Sequence, residues 1–228
     1  KLSTSKNWAI WLHEYLIDFK DQQDALRYAL CASAPENKDT DFTWKEFQAR
    51  NNNELVAILG NFVNRVVVLT NKYWCGVVPA INITNEYDDK ILSLLKISPT
   101  KIANSIIKFR FREALTEMMN LARAGNKYLA DCEPWKVIKS DKERAKTILN
   151  ISLQITASLS IISEPFLPFT SKKLKDILNL SKLKWADAGK IIISSGHKIN
   201  TGDHLFAKIE DDKIQLMIDK LNADKNEN

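Results

Sequence analysis

The sequence predicts a mainly α-helical protein, a bundle of about five helices preceded by a short helical module, with minor β or turn structure near the C-terminus. Two observations lead to this fold class. Glycine and proline number only six each in 228 residues, whereas proteins built from many short strands need both in their turns. Apolar residues recur three and four positions apart over long segments, which is the spacing of one helix face.

The N-terminal module is expected over residues 1–36. Its first helix starts near Asn7, where aromatic and apolar residues begin to recur at helical spacing. The residues of that face are Trp8, Trp11, Leu12, Tyr15 and Leu16. A second helix covers residues 24–34, and Pro35 with the polar stretch "PENKDTD" ends the module.

The bundle, over residues 37–228, is expected to open with a helix from residue 44 to residue 74. Asp41 or Thr43 is the predicted N-cap, and Glu46 is placed to complete a capping box with Thr43. Gly76 and Pro79 end the helix. At about 1.5 Å per residue, such a helix is about 45 Å long.

The later segments are expected to form four more helices and an irregular tail. A short helix is predicted over 88–95 and a long one over 100–130, which Pro134 breaks. Further helices cover 141–162 and 170–178. In the tail, "KIIISSGHKINTGDHLF" favours short strands or turns, and "DDKIQLMIDKL" favours a closing helix.

Composition limits the function classes. The net charge of +5 favours acidic partners, nucleic acid first among them. No apolar run approaches the roughly 18 residues of a membrane span, so no membrane association is expected. Cys31, Cys75 and Cys132 are odd in number and widely spaced, which indicates thiols in a reducing cytoplasm and no metal site. No P-loop, GxGxxG, HExxH or GxSxG motif is present.

The first candidate site lies in the middle of the long helix, in "LGNFVNRVV". Asn61 and Arg65 are four residues apart and share a face, with Asn64 one step round. Amides pair with base edges, and guanidinium groups stack on bases or bind their acceptors. A polar stripe facing water, or a hydrogen bond between helices, gives the same pattern.

The second candidate site is "NKYLADCEPWKVIK". Pro134 ends a helix and presents Trp135 at the break, where a fixed indole is a stacking platform for an unpaired base. Lys136 and Lys139 flank it and suit phosphates. A tryptophan that plugs the end of the bundle is the structural alternative.

At these residues the sequence resembles the methionyl-tRNA synthetase family of class I aminoacyl-tRNA synthetases. "KLSTS" at residues 1–5 is similar to the K-M-S-K-S signature. "DALRYAL" with "DFTWKEFQARNNNELVAILGNFVNR" resembles the family's entry into its anticodon-binding domain. "NKYLADCEPWKVIK" resembles the element near the end of that domain, and the order and spacing agree along the chain, including the "LF.KIED" ending.

The resemblance implies that residues 37–228 form a helical anticodon-binding domain for the C-A-U anticodon of methionine tRNA. By resemblance, Trp135 stacks on the first anticodon base, Pro134 orients it, and Asn61 and Arg65 read base edges. Asn64 and Asn126 match the family less closely.

The resemblance further implies that residues 1–36 are a catalytic-loop remnant with connective helices. Lys1, Ser3 and Ser5 match the loop that holds ATP phosphates, and Thr4 stands where the family has a second lysine. The family joins methionine to tRNA through an adenylate made with ATP and Mg²⁺. Its main catalytic domain and zinc-bearing insertion are expected before Lys1, so the chain alone is expected to be inactive and to bind none of these cofactors.

Two alternatives stay open at this stage. One is the anticodon-binding domain of another class I synthetase, of the leucine, isoleucine, valine or cysteine type. The other is a helical scaffold that binds protein. The resemblance also implies a homodimer where a further C-terminal tRNA-binding domain follows, so it leaves the oligomeric state open.

Overall fold

The computed structural model describes residues 9–36 and 40–226, and it confirms the mainly α-helical fold. Within these ranges, β pairing is limited to one antiparallel bridge between Val77 and Lys198. In the described residues, the bundle consists of one long helix over 44–74 and six further α-helices, and a short helical module packs against it.

The N-terminal module contains α1 (Leu12–Asp18) and α2 (Gln23–Ala32). Asn7 and Trp8 lie outside the described residues, and residues 9–11 are not helical, so the first helix begins later than predicted, at Leu12 after the extended Trp11. Tyr15 and the adjoining Phe19 pack their rings on Trp44 and Phe47 of the next helix, with centroid distances of 5.4 to 6.5 Å. This buried aromatic cluster attaches the module to the bundle.

The long helix runs without a break from residue 44 to residue 74, as predicted. It comprises α3 (Trp44–Arg50), a π-helical segment (Asn51–Gly60) and α4 (Asn61–Trp74). The Thr43 hydroxyl accepts a hydrogen bond from the Glu46 N–H at 3.1 Å, which confirms the N-cap. The Glu46 carboxylate accepts from Arg50 at 2.7 Å. The π-helical segment was not predicted, because hydrophobic spacing does not separate it from an α-helix.

The next two helices correct the sequence prediction. α5 (Glu86–Ile107) continues through Pro99, and α6 (Phe111–Cys132) begins after a turn at residues 108–110. The prediction of separate helices over 88–95 and 100–130 was therefore wrong about the boundary, which lies at residues 108–110. Pro99 is buried inside α5, so packing offsets the loss of one backbone hydrogen bond. Phe109 adopts a left-handed conformation with φ +57° and ends the run.

Of the remaining elements, the short α7 (Pro134–Val137) and a 3₁₀ turn at Trp185–Asp187 were not predicted. The three other helices were predicted: α8 (Lys142–Ile162), α9 (Pro168–Ile177) and α10 (Asp211–Asn226). The Asp141 carboxylate caps α8 by accepting from the Arg144 N–H at 2.8 Å. Glu133, with φ +42°, separates α6 from α7, so the break before Pro134 is confirmed.

α8 is the central helix of the core and is buried along nearly its whole length. Its buried polar side chains bind the irregular segments around it. Gln154 donates to the Ile193 carbonyl at 2.8 Å and accepts from the Ile192 and Ile193 N–H groups. Asn150 donates to the Pro79 carbonyl at 2.6 Å. These bonds satisfy backbone groups that have no strand partner.

Two helical stretches, Trp44–Trp74 and Lys142–Ile162, are long and apolar enough to cross a membrane by length and composition alone. The prediction that no apolar segment approaches the length of a membrane span was therefore wrong for these two stretches. In Lys142–Ile162, 94% of the apolar window is buried inside the protein. A core helix needs apolar residues on all sides, so it reaches the same mean hydropathy.

Candidate nucleic-acid interface

Arg65 and Trp135 meet on the surface of the bundle. α4 carries Arg65 and α7 carries Trp135, and the Arg65 guanidinium carbon lies 4.9 Å from the centre of the indole ring. Both side chains are half-buried, while Pro134 is buried at the first position of α7. The left-handed Glu133 turns the chain and the proline fixes its direction. The two predicted candidate sites therefore form one surface.

Arg65 lies here without an acidic partner from the described part of the chain, where no carboxylate comes within 4 Å of it. Burial lowers the pKa of Arg65, and because a guanidinium titrates far above neutral pH it stays charged. A partly desolvated cation over an aromatic face is a cation–π pair. Its donors remain available to an external acceptor.

Asn61 lies on the same face of α4 as Arg65 and is exposed. Its amide nitrogen is 3.4 Å from the Asn126 side-chain oxygen, and Asn126 donates in turn to the Ile58 carbonyl at 2.7 Å. Asn126 comes from α6, so this chain of bonds joins two helices. Asn64 is half-buried one position before Arg65. We call Asn61, Asn64, Arg65, Asn126 and Trp135 the amide–aromatic surface.

Close packing between α4 and α6 brings Asn61 and Asn126 together. Gly125 has no side chain, and a Cβ atom there would lie 2.6 Å from the nearest carbon of the Phe62 ring. Phe62 is fully buried. The glycine therefore lets the helices approach to the distance at which the neighbouring amides interact.

The two predicted phosphate ligands differ in their surroundings. Lys136 forms an exposed ion pair with Glu133 at 2.7 Å. Lys139 is exposed, and no carboxylate among the described residues is within ion-pair distance. Exposed pairs contribute little stability, so Lys136 can exchange its partner at small cost.

Lys1, Ser3, Thr4 and Ser5, the predicted ATP-loop residues, lie outside the described residues. Asn126 was assigned to the site only by resemblance, although the structure makes it a direct neighbour of Asn61. Helical spacing within one helix cannot show a bond to another helix. In the ranges that the structure describes, no group of three or more His, Cys, Asp or Glu residues is arranged to hold a metal ion.

Comparison with known protein families assigns both parts of the chain. Residues 78–226 match the model of the anticodon binding domain of methionyl tRNA ligase. Residues 1–67 match the model of class I tRNA synthetases of the methionine type.

The chain belongs to the methionyl-tRNA ligase family.

Curated members of the methionyl-tRNA ligase family align along the whole chain. The methionine–tRNA ligase of Flavobacterium psychrophilum is 61% identical over 231 residues, covering 100% of this chain and 34% of that protein. That of Christiangramia forsetii is 60% identical, with coverages of 100% and 34%. The chain spans about a third of the length of these relatives.

Solved structures share the fold. The free Mycobacterium tuberculosis methionyl-tRNA synthetase superposes with a TM-score of 0.78 at 20% identity, over 82% of this chain and 39% of that one. The same enzyme bound by methionyl-adenylate gives a TM-score of 0.77 at 21% identity, over 81% and 37%. Residues 78–226, which form most of the helical bundle, thus match a methionyl-tRNA ligase anticodon-binding domain, which favours this family over the other class I synthetases and over a protein-binding scaffold.

Proposed function

We propose that the amide–aromatic surface binds the C-A-U anticodon of methionine tRNA. The observation that carries this proposal is the Arg65 guanidinium stacked 4.9 Å from the Trp135 ring centre, without a carboxylate partner among the described residues. A fixed indole stacks on an unpaired base, and the adjoining cation binds base acceptors or phosphate.

In this proposal each residue has a separate role. Trp135 stacks on the first anticodon base, and Pro134 orients it. Asn61 and Arg65 bind base edges, with Asn64 as a further amide on the same helix. Asn126 is a positioning residue, because it holds the Asn61 amide while it is itself anchored to the Ile58 carbonyl.

We further propose that the whole protein is a cytoplasmic methionine–tRNA ligase that uses ATP, L-methionine and Mg²⁺. The family assignment and the 61% identity to a methionine–tRNA ligase support this activity. Lys1, Ser3, Thr4 and Ser5 are proposed to belong to the loop that holds ATP phosphates. Residues 1–36 are then the connective module and residues 37–228 the tRNA-binding domain. The zinc site and a homodimer remain expectations for the rest of the protein.

A binding titration tests anticodon recognition. The chain is titrated with a labelled methionine tRNA transcript and with the same transcript carrying a changed anticodon. Trp135→Ala is expected to weaken binding of the methionine tRNA by about 1–3 kcal/mol, the value of one stacked base. The variant should also show a smaller difference in affinity between the two transcripts. Trp185→Ala, which removes another half-buried tryptophan, is the matched control and should leave the affinity unchanged.

Equal affinity of the unaltered chain for both transcripts would contradict anticodon recognition. A Trp135→Ala variant that binds and discriminates normally would assign the tryptophan a structural role only.

A further inference from the structure

The turn between α5 and α6 alternates cations and aromatic rings. Its sequence is "KFRFR" at residues 108–112, and all seven residues from 107 to 113 are exposed. Phe109 has 76% of its surface exposed and Ile107 has 73%. Large apolar side chains grouped at one exposed turn indicate a contact surface. We call residues 107–113 the basic aromatic turn.

The conformation of this turn is costly and well defined. Phe109 has φ +57°, a left-handed conformation that costs a bulky side chain about 1–3 kcal/mol. Backbone bonds from the Phe109 N–H to Ile106 and from the Arg110 N–H to Ser105, both 2.9 Å, fix the turn. The Phe109 ring meets Phe111 edge to face at 6.2 Å. The turn therefore keeps the Phe109 ring exposed to solvent.

The charges around Phe109 are mostly positive. Lys108 and the Arg112 guanidinium have no ion-pair partner within the described ranges. Arg110 is 3.6 Å from Glu113 in an exposed pair. The Glu36 carboxylate accepts from the Arg112 backbone N–H at 2.9 Å and leaves the guanidinium free of it. Three cations thus stand against two carboxylates, and the cations alternate with the rings.

We propose that the basic aromatic turn is a second RNA-binding site, which takes an unpaired nucleotide of the tRNA held at the amide–aromatic surface. Phe109 stacks on the base, and Lys108 and Arg110 bind the flanking phosphates. Interleaved aromatic rings and cations are what unpaired nucleic acid requires. This inference rests on the proposed tRNA binding.

The position of the turn fits contact with the same RNA molecule. Arg123 and Asn126 lie eleven and fourteen residues after Arg112 on α6. At 3.6 residues per turn, all three lie on one face of that helix. α6 has 22 residues and is about 33 Å long. Arg112, Thr116 and Arg123 are exposed along this face, so RNA bound at Asn126 and Trp135 can reach the turn over these side chains. Arg123 is 3.9 Å from the Glu54 carboxylate in a partly exposed pair, which contributes little and can exchange for a phosphate. No base-reading amide lies within the turn, so it adds affinity without anticodon discrimination.

Phe109→Gly separates RNA binding from folding. Glycine adopts positive φ freely, so the variant is expected to unfold at a higher denaturant concentration. It should bind methionine tRNA and the changed-anticodon transcript at least about 5-fold more weakly, the lower limit for one stacked base. The ratio of the two affinities should not change.

Lys182→Gly is the matched control for this variant. Lys182 is exposed and also has φ +57°, so its replacement relieves the same backbone conformation and removes a cation. Its tRNA affinity is expected to stay within about 2-fold of that of the unaltered chain, because surface substitutions far from a site usually have effects no larger than this. Lys108→Ala with Arg110→Ala should reduce the slope of log affinity against log salt by about two, one for each lost phosphate contact.

The outcomes distinguish the two proposals. If Trp135→Ala loses discrimination while the turn variants bind both transcripts normally, the second site is wrong and anticodon recognition stands. If the turn variants bind more weakly while the unaltered chain does not discriminate between anticodons, anticodon recognition is wrong and the turn is a general RNA contact. If Phe109→Gly abolishes a concentration-dependent self-association without changing tRNA affinity, the turn is a protein contact and the proposal is overturned.

Discussion

Gly125 sets the distance between two helices at the residue scale. It faces the buried Phe62 ring so closely that any side chain would overlap the ring. The next residue, Asn126, is the one that bonds to Asn61. Packing at a single residue without a side chain thus sets the distance between the Asn61 and Asn126 amides of the amide–aromatic surface.

Gly125→Ala is expected to separate α4 from α6 at this point. Overpacking of a filled core costs about 1–3 kcal/mol of unfolding free energy, partly offset by about 1 kcal/mol of better helix propensity. Denaturant unfolding and tRNA titration should show lower stability and weaker binding together. Ala130→Gly, exposed on the same helix, measures the propensity difference alone. A Gly125→Ala chain with unchanged tRNA affinity would show that the Asn61–Asn126 spacing does not matter for binding.

At the scale of elements, one buried carboxylate joins three helices. Asp88 of α5 is fully buried and accepts from Tyr128 of α6 at 2.6 Å. It also accepts from the Arg144 guanidinium of α8, with one bond of 2.9 Å. Burial raises the pKa of Asp88, but the hydrogen bonds from Arg144 and Tyr128 outweigh it and hold the pKa below its usual value. The three helices are therefore connected through a charged network inside the bundle.

Arg144→Met is expected to cost about 3–5 kcal/mol at neutral pH, because it leaves a buried carboxylate without its cation. The stability of the variant should also depend less on pH in the acid range. In the unaltered chain, the contribution of Asp88 is present above its unfolded pKa and is lost as the pH falls through the lowered folded pKa. In the variant, only the hydrogen bonds from Tyr128 and the Asn85 N–H oppose the effect of burial, so the pKa of Asp88 lies higher than in the unaltered chain and ionisation of Asp88 contributes less stability.

Unfolding curves between pH 3 and pH 7 measure this difference. The gap in unfolding free energy between the variant and the unaltered chain should narrow on the acid side. Lys127→Gln removes the cation of an exposed ion pair with Asp131 and is expected to change stability little at any pH. A gap that stays constant with pH would mean that Asp88 does not titrate differently in the two proteins.

At the scale of the whole molecule, the C-terminal segment closes on the long helix. Asn52, in the π-helical segment, pairs with the Ile209 backbone in both directions, at 2.8 and 2.9 Å. Asn51 donates to the Ala207 carbonyl at 2.9 Å. α10 then reaches back to α1, where Lys220 pairs with Asp18 at 2.8 Å. These contacts connect the chain's last described helix to its first.

Asn52→Ala is expected to release residues 205–226 locally while the bundle stays folded. The variant leaves the Ile209 N–H unpaired, at a cost of about 1–3 kcal/mol, while the Ile209 carbonyl keeps the hydrogen bond from the Gln48 amide at 3.0 Å. Hydrogen exchange of the 205–226 amides should accelerate, and exchange within α8 should not. Asn53→Ala is the matched control, because Asn53 is the next residue and is exposed. Equal exchange rates in the two variants would show that α10 is held by other contacts.

The sequence by itself determined the helical class, the long helix with its Thr43 cap, the break at Pro134 and the family. Each of these depends on signals that are local in the chain, such as apolar spacing, a capping hydroxyl or a proline. The sequence also selected Asn61, Arg65 and Trp135, although spacing alone left a structural reading open for each of them.

Only the tertiary structure decided the rest. Pro99 lies inside α5 because burial of the surrounding helix outweighs one missing hydrogen bond. Local helix propensity does not include the free energy of this burial. The stacking of Arg65 on Trp135 and the bond between Asn61 and Asn126 join residues 65 to 70 positions apart. Such contacts form when packing brings distant helices together, so the tertiary structure determines the shape of the surface whose residue types the sequence had already selected.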